Sequence, residues 1–203
     1  KIKKLILTAS GGPFLGKKYS SLKKVSFEQA IKHPKWKMGY KNSIDSATMS
    51  NKCLELIEAH YLFDIPFDKL DVAIHPESKI HSIFEFDNYI YNMIAFHNDM
   101  KVPIYHFLNQ NYHYKLDNNK FSFKNYDQYN FQNVKIDEFP MYKLFRQLDK
   151  SNPSNLINFN VANEYAVNLF KKKSIKYTDI YKIVAKISSL NLNYKLKNIK
   201  DII

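Results

Sequence analysis

The residues of this chain best suited to chemistry lie in "DSATMSNKCLELIE", Asp45 to Glu58. At the helical angle of roughly 100° per residue, Asn51, Glu55 and Glu58 share one face, with Lys52 at its edge. Asp45 or Ser46 reads as an N-cap. The spacing therefore predicts a single helix from there to about Leu62, with Cys53, Leu54, Ile57 and Tyr61 on the opposite, apolar side. A helix N-terminus presents unpaired N–H groups and partial positive charge, and it suits an anion. Two readings follow from this pattern. Lys52 and Glu55 form a solvated i,i+3 ion pair, worth about 0.2–0.5 kcal/mol. Alternatively, Ser46, Asn51 and Lys52 receive a phosphate while Glu55 holds a hard metal ion. Spacing alone leaves both open.

Three further segments carry reactive or unusual residue types. In "SGGP", Ser10 to Pro13, two glycines let backbone N–H groups approach a ligand, and the serine adds a hydroxyl. The alternative is an ordinary strand-to-loop turn. "HPKWKMG", His33 to Gly39, sets a His, the only Trp (Trp36) and a Met in otherwise polar chain. Such a segment is either a mobile lid over a ligand or a loop that tucks its aromatic onto the core. His75 and His81 in "IHPESKIHS" do not match a zinc spacing, and they read as structural.

These segments need elements to position them. "KLIL" before SGGP reads as a buried strand, "SFEQAIKH" as a short helix, and "LDVAIHP" as a second buried strand. "SKIHSIFEFDNYIYNMIAF" reads as one or two more strands. Residues 109–137 are dense in Asn, Tyr, Asp and Lys without a period, as in a linker. From "FPMYKLFRQL" onward the pattern is helical, with Pro140 in a first turn. "VANEYAVNLFKKK" and "TDIYKIVAKISSL" follow, joined by a short turn at "SIKY". The expected fold class is α+β: a small α/β catalytic domain over 1–108, a linker over 109–137, and a C-terminal helical bundle over 138–203.

Composition narrows the function classes. With 45% hydrophobic and 15% aromatic residues, 203 residues bury a real core. The net charge of +12 invites a nucleic-acid reading. The lysines are scattered, however, Arg146 is the only arginine, and no basic cluster interleaves with stacking aromatics. The abundance of Lys, Asn, Ile, Tyr and Phe matches an AT-rich coding sequence instead. A nucleic-acid partner is therefore not expected. Neither is a membrane, because no apolar run is long enough to span one. Cys53 is the single cysteine, so no internal disulfide forms. The chain opens at Lys1 directly into a strand, as if in mid-fold.

Taken in order, these segments resemble the 1-deoxy-D-xylulose 5-phosphate reductoisomerase family. The matching pieces are "LTASGGPF", "HPKWKMG", "DSATMSNKCLELIEAHYLF", "IHPESKIHS", "NDMKVPI", "FP" at Phe139–Pro140 and "NVANEYAV". HPxWxMG followed by DSATxxNKxLExIEA is the specific part. The resemblance implies a homodimeric enzyme of isoprenoid precursor synthesis in the bacterial cytoplasm, or alternatively in plastids. It converts deoxyxylulose phosphate to methylerythritol phosphate with NADPH and Mg²⁺ or Mn²⁺. It also implies roles: Ser10, Ser46, Asn51 and Lys52 on the substrate phosphate and nearby hydroxyls, and Glu55 on the metal. His33 would lie against the substrate, and Trp36 would belong to the lid. Met38, Gly39 and Met100 would face the NADPH. Lys52 and Glu55 are the residues expected to serve the chemistry directly.

The chain departs from the family pattern at several places. Cys53 stands for a Gly, Ser50 for a Met, Glu77 for a Gln, Asn98 for a Pro and Met141 for a Cys. Tyr40 and Asn42 replace a basic and an apolar lid residue. The family's N-terminal dinucleotide domain and the segment carrying the other metal carboxylates are absent from these residues. One carboxylate holds Mg²⁺ poorly, so the chain alone is expected to be inactive. The readings set against this one are a basic nucleic-acid module and a non-catalytic remnant of the same fold.

Overall fold

The structure, a computed structural model, describes residues 1–34, 38–99, 101–108, 128–190 and 192. A five-stranded mixed sheet runs in the order β4-β3-β1-β2-β5. Its strands are β1 (Ile2–Ala9), β2 (Leu70–Ile74), β3 (Ile80–Phe86), β4 (Tyr91–Ala95) and β5 (Gln132–Asn133). β1 and β2 are parallel, with Leu5 opposite Leu70 and Ala9 opposite Ile74. All other pairings are antiparallel. A parallel pair needs a long crossover, and the crossover here carries α1 (Phe27–Ala30), α2 (Tyr40–Thr48) and α3 (Ser50–Phe63). The sheet and helices bear out the α+β class. Gln132–Asn133 lie inside the stretch expected as a linker, yet they are hydrogen-bonded to the edge of β2. Backbone pairing along a strand edge does not require a sequence period, so two residues suffice.

The segment expected as one helix from Asp45 is two. The chain breaks at Met49, which adopts a left-handed conformation with φ 70° and ψ 7°. That conformation costs a non-glycine residue about 1–2 kcal/mol. The Met49 side chain is almost completely buried, and burying a methionine returns about 1.5–3 kcal/mol. Asp45 and Ser46 are consequently not an N-cap; they lie inside α2, and both are buried. The buried stripe of α3 is Cys53, Leu56 and Ala59. Tyr61, five residues beyond Leu56 and so roughly 140° around the helix, is 59% exposed rather than part of the apolar side.

The C-terminal helices brace this corner. They are α5 (Pro140–Gln147), α6 (Pro153–Lys171) and α7 (Tyr177–Ser189); α4 (Lys101–Leu108) comes after β4 in the chain. Residues of β1, β2, α2, α3, α5, α6 and α7 share one buried cluster. The buried Tyr177 hydroxyl donates to the Ala47 carbonyl, 2.8 Å away, at the end of α2. Also against the end of α2, Gly12 has φ +65°. A Cβ there would lie 2.9 Å from the Ser46 carbonyl oxygen and 3.0 Å from the Ala47 Cα. The second glycine of SGGP is thus a packing residue that lets the turn press onto α2. Gly12→Ala should destabilise the fold by about 2 kcal/mol, visible as a lower urea midpoint. An unchanged midpoint would mean the turn does not depend on that close approach.

Candidate active site

The parallel strands end beside a cavity of about 360 Å³, where ligand sites in open sheets commonly form. Ser10 comes from the turn after β1, His33 from the loop after α1, and Met38 from the loop before α2. Ser46 lies on α2, and Asn51, Lys52 and Glu55 lie on the first two turns of α3. The break at Met49 matters here. It turns the chain between Ser46 and Asn51, so residues from two helices face one space. Gly39 is exposed as the N-cap of α2 and is not among the lining residues. Trp36 and Met100 lie outside the described residues.

Short polar contacts organise this wall. The Ser10 hydroxyl accepts from the Gly12 N–H at 3.2 Å and sits 3.0 Å from Nε2 of His33. Lys52 Nζ donates to Glu55 Oε2 at 2.6 Å. The Lys52 side chain is 16% exposed and that of Glu55 37%. This i,i+3 pair therefore lines a concave wall rather than a solvated convex face. The Asn51 side-chain oxygen Oδ1 accepts from the Lys52 N–H at 2.9 Å, satisfying one donor of the first turn of α3. No side chain caps that helix from the Met49 position.

Sequence reasoning missed the opposite wall. His81 on β3, Ser78 before it, and Phe96 and His97 after β4 also line the cavity, as does Pro103. His81 reads as structural in sequence, but alternation along β3 turns it toward the cavity side, where its ring stacks with Phe96 at 5.6 Å. The useful signal is its place in a strand beside SGGP, not its distance from His75. His75 is indeed structural. Its Nε2 accepts from the Lys79 N–H at 3.1 Å, leaving Nδ1 to donate to the Asn130 carbonyl at 2.9 Å.

The electrostatics tie the two walls together. Burial, and then the charge of Lys52, lower the pKa of His33 below the usual 6.5. The same two causes, in the same order, lead the lowering at His81. Both rings are therefore neutral at pH 7, each with one donor and one acceptor nitrogen. Burial, then Glu55, raises the pKa of Glu58. No three His, Cys, Asp or Glu side chains come together as a metal-binding set among the described residues. Glu55 fits as one carboxylate ligand of a divalent ion. These residues do not complete such a site, so the remaining ligands would come from outside them. The apolar part of the wall, with Met38, Phe96 and Pro103, suits a flat ring.

Depressed histidine pKa values have a fixed sign. Below pH 6.5 the unfolded chain takes up protons that the folded rings resist, so this part of the stability is present above that value and is lost as pH falls through the folded pKa values. The proton NMR titrations of His33 and His81 should both show midpoints below 6.5. Lys52→Met should move both upward, because it removes a charge that each ring feels. Midpoints that ignore the substitution would place Lys52 too far from the rings to matter.

Profiles of known families match both ends of the chain. Residues 1–63 match the 1-deoxy-D-xylulose 5-phosphate reductoisomerase C-terminal domain, and residues 97–203 match the DXP reductoisomerase C-terminal domain. The 1-deoxy-D-xylulose 5-phosphate reductoisomerase of Lawsonia intracellularis is 42% identical over 185 residues, covering 91% of this chain and 46% of that protein. That of Ehrlichia canis is 45% identical over 209 residues, covering 98% of this chain and 53% of its own length. Among solved structures, the Zymomonas mobilis reductoisomerase in complex with NADPH superposes with a TM-score of 0.88 at 35% identity, covering 99% of this chain and 52% of that one. A DOX-P reductoisomerase in complex with NADPH, fosmidomycin and magnesium gives 0.88 at 37% identity, with the same coverage. The chain spans about half the length of the relatives it matches.

Proposed function

We propose that this chain, which belongs to the 1-deoxy-D-xylulose 5-phosphate reductoisomerase family, forms the substrate side of an NADPH- and divalent-metal-dependent enzyme. That enzyme reductively isomerises 1-deoxy-D-xylulose 5-phosphate to 2-C-methyl-D-erythritol 4-phosphate. The observation that carries this reading is the convergence of Ser10, His33, Ser46, Asn51, Lys52 and Glu55 on one cavity. In this reading residues 1–108 are the catalytic portion, 109–137 link it onward, and 138–203 form the helical domain. The relatives named above are bacterial, and a homodimer in the bacterial cytoplasm is the setting we propose.

The roles follow from the chemistry of each group. Ser10, Ser46, Asn51 and Lys52 receive the phosphate dianion at the start of α3. Lys52, 2.6 Å from Glu55 Oε2, would pair with phosphate oxygens, and the Glu55 carboxylate would be one ligand of Mg²⁺ or Mn²⁺. The divalent ion supplies Lewis acidity at the substrate oxygens, and NADPH supplies the hydride. Neutral His33 orients a substrate hydroxyl without adding charge. Met38 would border the nicotinamide, and the family pattern assigns Gly39 and Met100 to the same side and Trp36 to the lid. The other metal ligands and the dinucleotide-binding turn would come from outside these residues, so the 203 residues alone should not oxidise NADPH.

Two substitutions in the full-length enzyme test these assignments. Lys52→Ala should raise the KM for the phosphorylated substrate about tenfold or more, and an unchanged KM and kcat would refute the anion-binding assignment. Glu55→Gln should lower metal-dependent kcat by about 100-fold with little change in melting temperature. Near-normal turnover would remove Glu55 from the metal.

A further inference from the structure

The wall that faces the phosphate in this reading is built from two helices meeting at a left-handed residue, and something must hold their angle. The buried polar groups behind the corner do so. Asp45, near the end of α2, is buried, and its Oδ2 pairs with Lys41 Nζ at 2.7 Å. Its Oδ1 accepts from the side-chain amide nitrogen of Asn163 at 2.8 Å. Asn163 is fully buried on α6, 118 residues away in sequence. Its carbonyl oxygen accepts from the Ser50 hydroxyl at 3.0 Å, and Ser50 is the first residue of α3. The Ser50 hydroxyl also lies 2.8 Å from that of Thr48, the last residue of α2.

We propose that Asn163 is a positioning residue for the anion-binding corner. Its amide clamps Asp45 on one side of the Met49 break and Ser50 on the other. It thereby fixes how Ser46 and the Asn51–Lys52 pair face the cavity. The proposal rests on the reading of that wall as the phosphate site.

The residue type is what such a clamp needs. One end must donate to a carboxylate and the other must accept from a hydroxyl, and a primary amide does both across one planar group. An aspartate would set a second carboxylate against Asp45. A leucine would fill the volume but leave Asp45 Oδ1 without this donor and Ser50 without this acceptor, among buried groups. Asn163 touches no cavity residue in these contacts, so it acts only through the helices it joins. Ser46 lies one residue after Asp45, and Asn51 one residue after Ser50. A small rotation at either end of the clamp is therefore passed directly to a cavity-lining side chain.

The test compares Asn163→Leu, Ser50→Ala and the double variant in the full-length enzyme, with Lys52→Ala as a reference. Asn163→Leu should raise the KM for the phosphorylated substrate about tenfold, a displacement effect, while the KM for NADPH and kcat stay within about threefold. Ser50→Ala, which removes one end of the clamp, should give a smaller rise in the same KM. The double variant should be no worse than Asn163→Leu. A purely structural role would lower the active fraction, reducing kcat with both KM values intact, and that result overturns the proposal. If Asn163→Leu does not fold, Ser50→Ala decides, and an unchanged substrate KM there overturns it too. If Lys52→Ala also leaves the substrate KM unchanged, the phosphate reading itself fails. If Lys52→Ala raises it and the clamp variants do not, only the clamp fails.

Discussion

The reversal at Met49 is the constraint on which the site depends. A continuous helix from Asp45 would spread Ser46, Asn51 and Lys52 around its surface at fixed angles. Breaking it with a left-handed residue lets two helix segments present side chains to one space. The strain is modest, and it is offset by burying the residue that carries it. Three contacts hold this corner: Gly12 packs closely on the end of α2, Tyr177 donates to the Ala47 carbonyl, and Asn163 bridges the two helices.

The corner also explains why helices remote in sequence belong to the site. α6 and α7 contribute nothing to the lining of the cavity. They supply the partners that the buried polar groups of α2 and α3 require. A buried hydroxyl or carboxylate without a partner is costly, so α2 and α3 are coupled to the C-terminal helices through hydrogen bonds as well as through apolar packing.

Among the described residues that line the cavity, Lys52 carries the positive charge. Lys52 is balanced by Glu55 at 2.6 Å and still reaches His33 and His81 strongly enough to help keep both neutral. An arriving dianion would meet a cation already held on a helix start and two uncharged rings that rearrange their protons without a change in charge. Among the described lining residues, Glu55 is the carboxylate that a divalent ion would meet.

Much was legible from local pattern. The alternation and length of "LDVAI" and "IHSIFEF", the proline at the start of α5, and the turn between α6 and α7 follow from short-range propensities that tertiary contacts did not override. The chemical residue types, from Ser10 to Glu55, were also visible, because the order of motifs is a property of the chain alone. The helix break was not visible. A methionine carries no local signal for a left-handed conformation, and only its burial makes that conformation affordable. Nor could spacing show that Tyr61 lies outside the core, that His81 faces the cavity, or that Gln132 and Asn133 join the sheet. The same holds for the second glycine of SGGP, which exists for a contact with α2 rather than for a ligand. The sequence by itself determined which groups are available and the elements that carry them. Tertiary structure alone decided which of them converge, because convergence rests on contacts between residues as far apart as Asp45 and Asn163, and no local period encodes those.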